Sequence, residues 1–153
     1  MGEVAAIASG GEKSRIYLGL TAMQRPETEM PLLLLDEIDS GLGMDTALPV
    51  AKLLEDLAHS GQVVCITHLP TMAVHGQSHV KVAKEIRNQR TVLRASVLGN
   101  KDRVTEIARL LGGEGYAGGD RKSQLSYAAQ LLASGTQQAT AAAGLTHPDK
   151  NVN

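Results

Sequence analysis

The sequence contains no phenylalanine and no tryptophan, and only three tyrosines among 153 residues. An aromatic core is therefore excluded. Any core must be aliphatic, and a chain of this length can bury about two-thirds of its unfolded surface in one. A single cysteine, Cys65, rules out an internal disulfide. Set in the apolar run Val63-Val64-Cys65-Ile66, it reads as a small buried thiol of a protein kept in a reducing cytoplasm. Neither sign of charge is in excess, with 15 Lys and Arg against 16 Asp and Glu. Tight DNA binding draws mainly on clustered cations that displace counterions, so DNA contact would need parts beyond this chain. No apolar run approaches the ~20 residues of a membrane span, and no membrane association is expected. Met1-Gly2-Glu3-Val4 has neither the basic nor the apolar segment of a secretion signal. The sharpest absence is a phosphate loop. Gly-x-x-x-x-Gly-Lys-[Ser/Thr] needs glycine before the lysine, yet Lys13-Ser14 follows Glu12 and Lys122-Ser123 follows Arg121.

What is present suggests an α/β protein. Ile16, Leu20 and Met23 recur at helical spacing after Ser9-Gly10-Gly11-Glu12, and Pro26 ends the pattern. Leu32-Leu33-Leu34-Leu35 is an unbroken aliphatic run that suits a strand covered on both faces. A helix is predicted over 46–57, carried by Leu48, Val50, Leu53, Leu54 and Leu57, and a second buried strand over 62–67. Strand, helix, strand implies a right-handed crossover and a mainly parallel sheet flanked by helices. Beyond His68-Leu69-Pro70, alternation over 79–83 and 91–98 predicts an antiparallel hairpin. Two closing helices are expected at 102–111 and 123–132, separated by a Gly-rich connector over 112–119. Residues 1–134 form the expected lobe, and 135–153 an expected disordered tail.

Three places carry candidate chemistry. Ser9 and Glu12 have the spacing of a capping box, which explains those two residues but not Gly10 and Gly11 between them. Each glycine costs a helix roughly 1 kcal/mol relative to alanine, so some benefit must offset it. Exposed amides at a helix start, open to an anion such as phosphate, would supply one; a simple cap is the competing reading. Asp36, Glu37 and Asp39 follow the first strand, at the sheet edge where open α/β folds bind ligands. Alternating orientation lets one acid hold Mg²⁺ while its neighbour orients or deprotonates a water. His68 follows the second strand and would project over the same edge, within reach of a γ-phosphate. His75 and His79 have the i,i+4 spacing of metal ligands, but Gly76 breaks the helix that spacing requires. Lys81, Lys84, Arg87, Arg90 and Arg94 read as the solvated face of the hairpin.

In their order these segments resemble the head of ABC ATPases, and within that superfamily the RecN family of SMC-like bacterial DNA repair proteins. The resemblance spans roughly residues 4 to 134. It rests on Ala8-Ser9-Gly10-Gly11-Glu12-Lys13-Ser14-Arg15-Ile16, Asp36-Glu37-Ile38-Asp39-Ser40-Gly41, Ile66-Thr67-His68-Leu69-Pro70, and the run from Arg103 to Gly113. It implies the C-terminal lobe of an SMC-type P-loop NTPase head, without the lobe that carries the Walker A phosphate loop. Ser9, Gly10, Gly11 and Glu12 would be the signature motif, facing the γ-phosphate of ATP held by a second head. Asp36 would help hold Mg²⁺, Glu37 would polarise the attacking water, and His68 would sense the γ-phosphate. Asp39 would communicate across the homodimer. Lys13 departs from the leucine expected in the RecN family and is closer to other SMC-type signatures, which keeps a chromosome-organising ATPase as an alternative. The implied function is ATP binding and hydrolysis at head–head interfaces in DNA double-strand break repair and recombination, in the cytoplasm at the nucleoid. The half-head alone should be hydrolytically silent. A docking half-head that only offers its signature serine is the non-enzymatic alternative.

Overall fold

The structure is a computed structural model that describes residues 9–24, 30–87, 90–112 and 120–144. Helix α1 (Gly10–Gln24) precedes strand β1 (Met30–Leu35), helix α2 (Met44–Ala58), strand β2 (Gly61–Cys65) and the short helix α3 (Pro70–Ala73). Strands β3 (Val80–Arg87) and β4 (Arg90–Val97) follow, then helices α4 (Asn100–Gly112) and α5 (Arg121–Gly144). No described helix is long and apolar enough to cross a membrane. Residues 88–89, between the two hairpin strands, and residues 113–119 of the expected 112–119 connector lie outside the described residues, while Gly112 ends α4.

β1 and β2 pair in parallel, with Leu33 opposite Val63 and Leu35 opposite Cys65, and the pairing extends one step further through the Ile66 amide to the Leu35 carbonyl at 2.9 Å. The crossover is α2. Its buried residues are Ala47, Ala51, Leu54 and Leu57, so the small side chains let the helix lie close on the sheet. The face centres on these alanines, while Leu48, Val50 and Leu53 of the expected stripe are only half-buried at its margins. Leu33 and Leu35 meet this helix in one cluster that also holds Leu18, Ile38 and Met72.

Two expectations about the sheet and α1 are corrected. Leu32, Leu34, Val64 and Ile66, on the opposite face of the same strands, are exposed, Leu34 by 63%. Helices therefore cover one face of the parallel pair and leave the other bare. On α1 the predicted stripe also points outward, because Ile16, Leu20 and Met23 are all exposed. The buried residues are Gly11 and Leu18 instead, with Ala22 packed beside them. This helix carries apolar residues on more than one face, so periodicity could not choose between them. The choice falls to polar contacts of Ser14 and Arg15.

The hairpin pairs in antiparallel register from Val80 opposite Val97 to Arg87 opposite Arg90. Alternation puts Val80, Val82, Ile86, Leu93 and Val97 on one face, and all five are exposed, Ile86 by 79%. On the other face Lys81 forms an ion pair with Glu106 of α4, which is also held by Arg109, while Arg87, Arg90, Val92 and Arg94 are exposed. The hairpin thus shows its oily side to solvent. A second apolar cluster joins Val74, Ile107, Ala108 and Ala128. Arg103 fastens α4 to the loop between α3 and β3 by donating to the carbonyls of Gly76 at 2.6 Å and Gln77 at 3.3 Å.

The expected tail begins inside α5. Residues 135–144 are helical, and Gly135 is buried so closely that an added Cβ would lie 2.8 Å from the Val74 carbonyl oxygen. The Ala-rich run 139–143 has the highest helix propensity available, which outweighs its polar neighbours. Residues 145–153 lie outside the described residues.

Candidate nucleotide site at the strand ends

The carboxyl ends of β1 and β2 are adjacent, and the residues singled out from sequence gather there in two groups. In the first, the start of α1 rests on the turn after β1. The capping box forms as the spacing predicts: the Ser9 amide donates to Glu12 Oε2 at 2.9 Å, and the Glu12 amide donates to Ser9 Oγ at 3.3 Å. Ser9 Oγ acts there as acceptor, so its own hydroxyl proton stays available for an external oxygen. Ser14 Oγ donates to the Asp36 carbonyl at 3.1 Å, and Arg15 donates to the carbonyls of Ile38 at 3.0 Å and Ser40 at 2.8 Å.

This close approach gives the glycines a structural reason. A Cβ on Gly11 would lie 2.8 Å from the Glu37 carbonyl oxygen and 2.9 Å from Ser40 Cβ, neither of which can withdraw easily. A Cβ on Gly10 would meet only Glu37 Oε2, at 2.8 Å, the end of a flexible and exposed side chain. Packing alone thus accounts for Gly11. Gly10 keeps the outward position that an anion at the helix start would need, since first-turn amides have no partner within their own helix. Asp36 and Glu37 are both exposed, and neither carboxylate has a hydrogen bond or ion pair among the described residues. Glu37 adopts φ 55°, a left-handed backbone that side chains with a Cβ occupy at a cost of order 1 kcal/mol or more. The turn holds this strain at the residue on which the resemblance places the catalytic base.

The second group centres on Asp39, whose side chain is 4% exposed. Its Oδ2 accepts from Thr67 Oγ1 at 2.6 Å and from the His68 amide at 2.8 Å, and stands 2.9 Å from His68 Nδ1. Thr67 Oγ1 in turn accepts from the Leu69 amide at 3.1 Å. Burial pushes the Asp39 carboxyl up, but the Thr67 hydroxyl, the His68 amide and the His68 ring more than offset it and leave it below its ordinary value. Asp39 thus faces inward onto the His68 loop, with the His68 side chain 71% exposed beyond it. No hydrogen bond or ion pair joins His68 to Glu37 among the described residues.

Glu106 is lowered in the same way, with the Arg109 and Lys81 contacts outweighing its burial. A carboxyl held below its ordinary value stabilises the fold above that value, and the contribution fades as pH falls through and below it. Urea midpoints should therefore drop as pH is lowered from 6 to 3, and drop less in Asp39→Asn. An equal loss in wild type and variant would show that the Asp39 contacts add nothing. Cys65 lies near this group and is inert by its surroundings. Burial, followed by the charges of Asp39 and Asp36, pushes its thiol up to about 11.

Sequence reasoning missed Ser14, Arg15 and Thr67. A signal for Arg15 existed, since it follows Gly11 by four residues and so shares its helix face. His75, considered with His79 for a metal, instead places Nδ1 3.0 Å from Glu55 Oε1 of α2, and neither of these buried atoms makes a hydrogen bond among the described residues.

The fold is similar to that of a chain solved in work on the ATP-driven dimerization and DNA-stimulated activation of SMC ATPases, with a TM-score of 0.52 at 20% identity. The match covers 74% of this chain and 68% of the other. No family model matches the chain. By sequence the chain is 41% identical over 135 residues to the DNA repair protein RecN of Treponema pallidum, and 42% identical over 110 residues to that of Haemophilus influenzae. RecN of Bacillus subtilis is 34% identical over 107 residues. These alignments cover 88%, 72% and 70% of this chain. The chain belongs to the RecN family and spans about a fifth of the length of these relatives, 23%, 20% and 19% respectively.

Proposed function

We propose that this chain supplies the C-terminal half of a RecN-like ATPase head, which binds and hydrolyses ATP once a lobe bearing a Walker A phosphate loop completes it. The observation that carries this reading is the pairing of two features on one parallel sheet. Its carboxyl rim gathers Asp36, Glu37 and the His68 loop, and its outer face, Leu32, Leu34, Val64 and Ile66, is bare where a second lobe would pack.

The donor set suits Mg²⁺. Asp36 and Glu37 offer unengaged carboxylate oxygens, the hard ligands this ion takes, and Mg²⁺ in nucleotide sites commonly uses one or two such groups plus water and phosphate. Among the described residues no group of three or more His, Cys, Asp or Glu could hold a metal, so the phosphates would complete the shell. Asp36 would hold the ion, whose charge counters that on the transferring phosphoryl group. Glu37 orients the attacking water and accepts its proton, and His68 faces the γ-phosphate. The Ser9 hydroxyl and the amides of Gly10 and Gly11 face the nucleotide of a second head, with Glu12 closing the capping box that holds the Ser9 turn, and so pair two copies across ATP. Through the complete protein this chemistry would serve DNA double-strand break repair and recombination in the cytoplasm, at the nucleoid.

Mixing the chain with the Walker A-bearing lobe of a RecN relative tests the reading. The chain alone should give no Mg-ATP turnover and the mixture should hydrolyse ATP. Turnover by the chain alone, or a stable assembly without turnover, would defeat it.

A further inference from the structure

We propose that Arg15 is a positioning residue for Glu37: reaching across from α1, it holds the turn after β1 in the left-handed conformation that sets the direction of the acid. This rests on the reading of Glu37 as the base, although the brace itself is a property of this chain alone. No hydrogen bond or ion pair among the described residues aims the Glu37 carboxylate, so its direction comes from the backbone. That backbone sits at φ 55°, a state that persists only where the surroundings over-determine it. They do so from three sides. Ile38, the next residue, is fully buried in the core. Asp39 accepts from the Thr67 hydroxyl and the His68 amide at the end of β2. From α1, one guanidinium nitrogen of half-buried Arg15 donates to the carbonyls of Ile38 at 3.0 Å and Ser40 at 2.8 Å. Ser14 adds a neutral bond to the Asp36 carbonyl at 3.1 Å, so α1 grips the main chain on both sides of Glu37. The Arg15 bonds come from a charged donor and are the stronger ones. The sequence also leaves room for them. A Cβ on Gly11 would lie 3.0 Å from the same guanidinium nitrogen, so glycine there lets the Arg15 side chain cross to the turn.

The test has two parts. In hydrogen exchange of the whole chain, peptides covering residues 36–42, where the Ser40 and Leu42 amides bond within the turn, should exchange roughly 10-fold faster in Arg15→Met, the order expected when a charge-assisted bond is lost, while peptides of α2 keep their wild-type rates. In the chain completed by a Walker A-bearing lobe, Arg15→Met should lower kcat for Mg-ATP roughly 10- to 100-fold with KM little changed, the scale of loss from a misplaced catalytic group. Because Arg15 acts through Glu37, the same substitution should cost almost nothing further in a Glu37→Gln background. Unmoved exchange of the turn would overturn the brace and leave the ATPase reading standing. Equal acceleration across α2 would make Arg15 a general support of the fold and overturn the proposal. Faster exchange of the turn with unchanged kcat would overturn the positioning role, as would a full additional loss in the Glu37→Gln background. A completed wild-type head without turnover would defeat the ATPase reading, and the role assigned to Arg15 with it.

Discussion

Purified by itself, the chain is expected to self-associate, and to become a defined one-to-one complex when the completing lobe is added. Nine aliphatic residues stand bare on two strand pairs: Leu32, Leu34, Val64 and Ile66 on the parallel pair, and Val80, Val82, Ile86, Leu93 and Val97 on the hairpin. Burying such a side chain fully is worth roughly 1.5–3 kcal/mol. Association costs an estimated 4–15 kcal/mol in lost freedom of motion, so covering most of these residues favours assembly. Exposed apolar faces of this kind mark an interaction surface or an aggregation hazard. Leu34→Lys combined with Ile86→Lys should lower the apparent mass in analytical ultracentrifugation and weaken binding of the lobe. A monodisperse wild-type monomer with a cooperative melt would show that these faces need no cover.

The two signature glycines should separate by substitution. Gly11→Ala forces a Cβ against the Glu37 carbonyl and Ser40 and should destabilise the fold by about 1–3 kcal/mol, the usual range for an overpacked buried site. Gly10→Ala meets only the movable end of Glu37 and should leave the urea midpoint unchanged or slightly raised, since alanine is the better helix former. If the outward face of Gly10 receives a phosphate, that same stable variant should still lose turnover in the completed head. Equal destabilisation by both substitutions would contradict the packing described, and full turnover in Gly10→Ala would remove the phosphate from that face.

Much of this was legible in the sequence because strongly apolar strands leave clear marks, even where one of their faces ends up bare. Four leucines in a row, and Val63-Val64-Cys65, admit few other readings, and the acids and histidine that follow them fall at the strand ends by necessity of the parallel crossover. The hairpin was visible from alternation alone, but not which side would be bare. Alternation says that Val82 and Lys81 oppose each other; it takes the Lys81–Glu106 pair to show that the Lys81 end of the polar side is the one tied to α4. The α1 face was misread for a related reason. Ile16, Leu20 and Met23 are apolar and correctly spaced, yet the helix is oriented by Arg15 reaching the Ile38 and Ser40 carbonyls, contacts more than twenty residues apart that no local pattern records. Asp39 was placed at the site by its motif, but its inward direction depends on Thr67, across the sheet. The helical run 135–144 was hidden because a polar, Ala-rich composition suits both a tail and a helix docked through one buried glycine.

Single-turnover and steady-state hydrolysis by Glu37→Gln in the completed head, at saturating Mg-ATP, bears most directly on the proposed role of this chain. Loss of a positioned general base should lower kcat by roughly 10²–10⁴ while ATP binding persists, because the substitution removes a proton acceptor and leaves the shape of the turn intact. Wild-type kcat in Glu37→Gln, together with loss of turnover in Ser9→Arg, would mean instead that the chain contributes no chemistry of its own and serves only as the signature-bearing dock for another ATPase.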